Sequence, residues 1–228
     1  MISETKTENM LIPAFNSSLF DSPAMDITTE LLEVGLDSIL DEGLLKDIPI
    51  LGVIVKTGNL ARNIYDRNLL RQTFMFINSF KDKTIESEKL IKYRDSLYKN
   101  PKKAEQELGR VLVYLNRFVD LQKSQFIASA YRYYISEFYS WDQFCELAEV
   151  VDRLFVSDIV ELMQLGRAET SVDIYHKTYM HDRLTALGLL MEDLQRYYLP
   201  GEDEPRTPER LILSDLGKLF CHVYDNTL

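Results

Sequence analysis

Apolar residues recur at three- and four-residue spacings along most of this 228-residue chain, a period typical of amphipathic α-helices. Between Pro101 and Pro200 no proline interrupts the pattern. The predicted helices run from Asp26 or Thr28 to Gly43, from Pro49 to about residue 80 with a break near Gly58, from Thr84 to Tyr98, from Pro101 through Phe118, from Ser140 through Leu154, and from Ser157 to Gly166. Residues 1–25 are polar and contain prolines, which predicts a mobile tail or a docking peptide with Leu19 and Phe20 as candidate anchors.

The pattern changes after residue 170. Residues 178–190 fit a helix closed by Gly188, and the stretches LQRYYL (194–199) and RLIL (210–213) fit strands joined by an acidic loop. A last helix follows from Ser214. This order resembles the C-terminal half of a winged-helix domain, and the residues that carry the resemblance are Leu184, Leu187, Gly188, Leu189, Leu190, Leu211, Leu213, Leu216 and Gly217.

The expected fold is therefore mainly α, with a multi-helix body followed by a winged-helix-like C-terminal region that contains a short two-stranded β-hairpin. We expect three parts in the chain: the mobile tail over 1–25, a helical domain over 26–156 and the winged-helix-like domain over 157–228.

Composition narrows the class of protein. With 46% hydrophobic and 27% charged residues, the chain is typical of globular proteins and unlike collagen-like or disordered ones. Cys145 and Cys221 are too few for a disulfide framework, and the first residues lack an apolar stretch of signal-peptide length. Both observations favour the cytoplasm.

The net charge of −10 is distributed unevenly. Residues 1–50 carry −8, residues 51–140 carry +7 and residues 141–228 carry −9. The basic middle indicates either charge complementarity within the chain or an exposed face for an anionic partner.

The stretch from Phe118 to Trp141 is dense in aromatic residues. Aromatic residues at helical spacing form a core in most proteins, but the same density is typical of recognition surfaces. The candidate contact residues in this stretch are Tyr131, Tyr134, Phe138 and Trp141.

A second candidate is the apolar segment 44–64, which contains a run of apolar residues between Lys46 and Lys56. The run is too short to cross a bilayer, but it could insert into a membrane surface or be buried inside the protein. The candidate membrane-contact residues are Ile50, Leu51, Val53 and Ile54. Both interpretations stay open at this point.

The C-terminal region carries three candidate basic contacts, Lys177, Arg183 and Arg206. A winged helix that reads DNA needs many cations, because phosphate neutralisation supplies most of the affinity. The acidic balance of this region instead favours a protein partner or self-association, with DNA binding as an alternative.

Motifs for catalysis or cofactor binding are not found in the sequence. The three histidines, His176, His181 and His222, do not have the spacing of a zinc-protease helix, and there is no CxxC pair, phosphate-binding glycine loop or GxSxG elbow. We therefore expect no enzyme activity, no metal and no cofactor.

The middle of the chain resembles an uncharacterised group of bacterial and phage helical proteins with a winged-helix-like end. The matching positions are Asp47 to Ile50, Gly52, Asp66, Arg67, Leu115, Arg117, Asp120 and Lys123, although the order Asp66-Arg67 is the reverse of the group's pattern. The resemblance implies the architecture and no activity. The sequence as a whole predicts a non-enzymatic interaction or regulatory protein, with conflict between phage and host as one setting, and with a membrane-acting effector and a DNA-binding regulator as alternatives.

Overall fold

The computed structural model describes residues 2–22, 46–57, 63–82, 85–168, 171–193 and 210–225. Within these ranges the protein is mainly helical, with ten α-helices and one small antiparallel sheet, so the predicted fold class is confirmed at that level. The chain divides into two compact units, which we call unit 1 (Met1–Ala148) and unit 2 (Glu149–Leu228). This division falls earlier in the chain than the predicted boundary between residues 156 and 157.

Unit 1 is built from helices. In chain order they are α1 (Ile2–Phe20), α2 (Pro49–Thr57), α3 (Ile64–Asp82), α4 (Ser87–Lys99), α5 (Pro101–Arg117), α6 (Leu121–Ile135) and α7 (Trp141–Arg153), and the division between the units falls inside α7. Local signals fix several ends, as predicted. The Asn100 side chain accepts a hydrogen bond from the Lys103 amide at 3.2 Å and caps α5. Ser140 and Gln143 form a reciprocal capping box before α7.

Helix α1 lies where a mobile tail was expected. Phe15 and Leu19 are buried in unit 1. The hydroxyl of Ser18 accepts a hydrogen bond from the Ile50 amide at 2.9 Å, so α1 also satisfies a free N–H at the start of α2. The helix continues through Pro13, and residues 2–20 therefore correct the prediction of a tail. The helix predicted over 26–43 lies outside the described residues.

The candidate membrane segment is corrected in the same way. Ile50, Leu51 and Ile54 are buried and Val53 is half-buried, so α2 directs its apolar side chains into the core of unit 1. Among the described residues, no helix has both the length and the apolar character that crossing a membrane requires.

Unit 2 combines helices with a three-stranded antiparallel sheet. Its elements are α8 (Val156–Ala168), β1 (Val172–Asp173), a 3₁₀ turn (Ile174–His176), α9 (Tyr179–Ala186), β2 (Leu190–Glu192), β3 (Arg210–Leu213) and α10 (Asp215–Asp225). The strand order is β1-β3-β2, with Val172 opposite Leu211 and Leu190 opposite Leu213. Of these three strands only β3 was predicted, because residues 178–190 were assigned to a helix and β1 was assigned to neither a helix nor a strand. The predicted strand over 194–199 lies outside the described residues.

Glycines allow close packing in unit 2. Gly188 ends the α9 turn with φ +74°, as predicted, and the Leu189 amide donates to the Leu184 carbonyl at 2.9 Å. At Gly217 a Cβ atom would lie only 2.1 Å from the Leu189 carbonyl oxygen, so α10 approaches the start of β2 at a distance that only glycine permits. Gly166 was expected to end a helix, but α8 continues through it to Ala168.

Candidate interaction surface

The aromatic stretch of unit 1 is mostly core. Tyr131 is 0% exposed, and its hydroxyl lies 2.5 Å from the hydroxyl of Tyr93. Burial raises the pKa of Tyr131 well above its ordinary value. Tyr131 is therefore not available to a partner, which corrects its assignment as a contact residue.

The polar end of Tyr134 is also used inside unit 1. Its hydroxyl donates to Oε1 of Glu107 at 3.0 Å, and the hydroxyl of Tyr93 donates to Oε2 of the same carboxylate. Lys103 Nζ lies 3.9 Å from Oε1. Glu107 is buried, so these partners supply the hydrogen bonds that water would otherwise make. Burial raises the pKa of Tyr134 as well.

Trp141 and Phe138 complete the predicted group. Trp141 is half-buried and stacks on Phe144 with ring centroids 4.9 Å apart, so it belongs to the same packed cluster. Phe138 is exposed and packs edge-on against Tyr133 with centroids 5.2 Å apart. Of the four aromatic residues proposed from the sequence, only Phe138 is largely accessible.

In unit 2, the candidate contact residue Arg183 is paired with a buried carboxylate. The Nε of Arg183 donates to Oδ2 of Asp158 at 3.1 Å, and Nη2 donates to Oδ1 of the same carboxylate. Asp158 is 0% exposed, and its Oδ2 also accepts a hydrogen bond from the Phe155 amide at 3.2 Å at the start of α8. The hydrogen bonds to Asp158 raise the pKa of Arg183. The guanidinium is thus fixed in a bidentate pair.

Two exposed aromatic rings enclose this guanidinium. The Cζ atom of Arg183 lies 4.9 Å from the ring centroid of Phe155 and 5.0 Å from that of Tyr179, distances at which cation–π attraction operates. Phe155 is 60% exposed and Tyr179 is 71% exposed. We call these three side chains, Phe155, Tyr179 and Arg183, the aromatic–arginine surface.

The other polar residues near α9 are engaged locally. Lys177 Nζ pairs with Oδ1 of Asp182 at 2.8 Å. His181 is buried; its Nδ1 accepts a hydrogen bond from the Thr178 amide at 2.9 Å, so Nε2 carries the proton and donates to Oε1 of Glu161 at 2.9 Å. Within the described ranges no group of three or more side chains is arranged to hold a metal ion. Arg206 lies outside the described residues.

Sequence reasoning identified Arg183 but missed its two aromatic neighbours. Phe155 stands between two helical patterns and Tyr179 begins a third, so neither belongs to a buried apolar face. An aromatic residue outside the helical period was the signal that could have identified them.

No protein-family model, curated protein or solved structure matches this chain. The resemblance to a group of bacterial and phage proteins therefore gains no support from these comparisons.

Proposed function

We propose that this chain is a non-enzymatic interaction protein that binds a protein partner through the aromatic–arginine surface of unit 2. The observation that carries the proposal is the placement of Arg183 between two rings that are themselves exposed. Tyr, Phe and Arg are enriched at protein interfaces, and Tyr and Arg recur among the residues that contribute most to binding.

The side chain of Arg183 is held in one conformation before any partner binds, and this favours a role in binding. A free arginine loses side-chain entropy when a partner immobilises it, whereas the pair with Asp158 has already fixed this one. Residues 141–228 carry −9, so the surroundings of the aromatic–arginine surface favour a partner with an apolar contact area and a basic rim.

A winged-helix-like character of unit 2 is part of the same proposal. The alternation of helices and strands, the strand order β1-β3-β2 and the Gly188 turn support it. In that arrangement α9 takes the position of the recognition helix. Because Lys177 and Arg183 are already paired with acids, the helix favours a protein over the phosphates of DNA. Fold alone does not decide the ligand, so the side chains carry this argument.

Affinity capture with matched variants tests the proposal. The full chain is tagged and incubated with nuclease-treated lysate of the cells that naturally produce it, alongside the double variant Phe155→Ser/Tyr179→Ser and the control Met191→Ser. Met191 is an exposed apolar residue of β2 in the same unit. We expect wild type and control to retain the same stoichiometric protein and the double variant to lose at least about tenfold of it.

Light scattering separates a second copy from a foreign partner. A wild-type dimer that becomes a monomer only in the double variant identifies the partner as the chain itself. Equal capture by the double variant, with circular dichroism showing that it is folded, would contradict the proposal. A parallel capture from lysate without nuclease tests the DNA-binding alternative, which recovery of nucleic acid that is released steeply with salt would support instead.

A further inference from the structure

Unit 1 contains a cavity of about 560 Å³ between α1, α4 and α5. This volume lies in the range of small-molecule sites, which is roughly 300–1,000 Å³. Leu97 and Ala104 are buried in its wall, while Tyr98 and Glu105 are exposed at its edge. The cavity is a separate site from the aromatic–arginine surface, because the two belong to different units.

Asn16 makes this cavity more than an apolar gap. Its side chain lines the cavity and is only 5% exposed, and its Oδ1 has no hydrogen-bond partner among the described residues. Nearby on α1, Ser18 is also buried, yet its hydroxyl both donates to the Ala14 carbonyl at 2.7 Å and accepts from Ile50. A buried acceptor without a donor costs about 1–3 kcal/mol, so the Asn16 oxygen is an unusual feature of this helix.

Among the polar residues that line the cavity, Glu105 carries a negative charge, and Asn16 and Ser17 each have both donor and acceptor atoms. Glu105 makes no ion pair within the described residues, and no lysine or arginine lines the cavity. The hydroxyl of Tyr98, which also lines the cavity, already donates to Oδ2 of Asp21 at 2.6 Å. The start of α5 does not compensate, because Pro101 has no N–H and Asn100 caps the Lys103 amide.

We propose that this cavity binds a small amine with an apolar body. Leu97, Ala104 and the ring of Tyr98 surround the hydrocarbon part, the ammonium donates to Asn16, and Glu105 balances its charge. The torsion χ2 of asparagine is broad, so rotation of the amide presents Oδ1 to the ligand. An anion would meet Glu105 with no cation to offset it, and a neutral molecule would offer that carboxylate a hydrogen bond but no opposite charge.

Calorimetric titration of the full chain with three probes that share a phenylethyl group tests the class of ligand. The probes are 2-phenylethylamine, 2-phenylethanol and 3-phenylpropionate. We expect the amine to bind about tenfold more tightly than the alcohol, because a charge-assisted hydrogen bond is roughly twice as strong as a neutral one, and we expect no detectable binding of the carboxylate. Equal affinities for the three probes, or no binding of the amine at millimolar concentration, would overturn the proposal.

Two variants locate the binding. Asn16→Leu removes the unpartnered oxygen, so it is expected to raise the melting temperature while lowering amine affinity at least about tenfold. A merely structural Asn16 would lower both. Glu105→Gln lies on the surface and is expected to abolish the preference for amine over alcohol without changing the fold, whereas the control Glu146→Gln on α7 leaves the preference intact. An unchanged preference in Glu105→Gln would count against the site.

Discussion

The two units stabilise buried charge in different ways. In unit 1, Glu107 is held mainly by neutral tyrosine hydroxyls, and Arg132 donates to the Ser79 carbonyl and to the Ser129 hydroxyl. In unit 2, the buried Asp158 is paired with Arg183. Neutral dipoles stabilise a charge where water is excluded, whereas an opposite charge can also stabilise it at the boundary with solvent.

The aromatic residues beside these two carboxylates differ in the same way. Tyr93 and Tyr131 in unit 1 are inside, because their hydroxyls are the partners that the interior needs. In unit 2 an acid and a base satisfy each other, so Phe155 and Tyr179 remain outside and flank the pair. The polar network of unit 1 thus serves the fold, and the ion pair of unit 2 presents a surface.

The largest expected effect tests the close packing of unit 2. In Gly217→Ala the new Cβ would lie 2.1 Å from the Leu189 carbonyl oxygen, so we expect a loss of about 3 kcal/mol in the free energy of unfolding. Hydrogen exchange of α10 and β2 amides measures the change. Gly188→Ala is the control: it has open space but φ +74°, and it should cost about 1 kcal/mol. Helix propensity alone predicts that Gly217→Ala stabilises α10, and that outcome would contradict the observed packing.

The next prediction concerns the two halves of the ion pair. Asp158→Asn keeps an acceptor for the Phe155 amide and leaves Arg183 able to reach solvent, so we expect a cost of about 1 kcal/mol. Arg183→Met leaves a fully buried carboxylate without its cation, and it should lower the urea midpoint of unfolding further than Asp158→Asn does.

The double variant Arg183→Met/Asp158→Asn provides the check on this ordering. It should recover most of the loss caused by Arg183→Met, because no unpaired carboxylate remains. If the two single changes prove additive, Asp158 and Arg183 do not depend on each other and the contrast between the units is lost.

The corresponding change in unit 1 is Glu107→Gln. The two tyrosine hydroxyls lose a charged acceptor, and one of them must accept from the new amide, so we expect about 1.5 kcal/mol of destabilisation. Urea unfolding followed by the fluorescence of Trp141, whose ring centroid lies 5.2 Å from that of Tyr134, measures it. Glu105→Gln, on the same helix but exposed, should stay within about 0.5 kcal/mol of wild type. Equal effects of the two variants would show that the buried network is not important for stability.

Much of the helical fold could be predicted from local signals. The period of apolar residues, the Asn100-Pro101 start of α5, the Gly188 turn and the RLIL strand are all properties of a few neighbouring residues. Strands β1 and β2 were both missed: β1 has two residues and shows no alternation, and β2 begins at the end of the stretch that was assigned to a helix. Gly166 was misjudged because the residue that requires a glycine there is distant in the sequence: a Cβ at position 166 would lie 2.8 Å from Sγ of Cys221.

The candidate site was less predictable for the same reason. Arg183 was chosen from the sequence for its charge, but Asp158, which fixes it, lies 25 residues earlier. Tyr131 was chosen for its aromatic ring. Only the structure shows that its hydroxyl contacts the hydroxyl of Tyr93, which in turn donates to Glu107. Sequence reasoning finds residues with the right chemistry, whereas exposure and pairing depend on contacts between distant segments.

The smallest expected effect is a pH dependence in unit 1. Lys81 on α3 is half-buried and donates to the Ser22 carbonyl at 2.7 Å, and burial lowers its pKa to about 8, an effect that Asp21 partly offsets. The ordinary value is 10.5, so between about pH 8 and pH 10 the unfolded chain binds more protons than the folded one, and stability rises with pH. We expect the melting temperature to increase between pH 7.5 and pH 9.5 by about 2 °C more in wild type than in Lys81→Met. The same substitution at the exposed Lys102 should leave the slope unchanged. Parallel pH profiles for wild type and Lys81→Met would mean that burial does not lower the pKa of Lys81, and the contrast with the paired charges of unit 2 would then rest on Glu107 and Arg132.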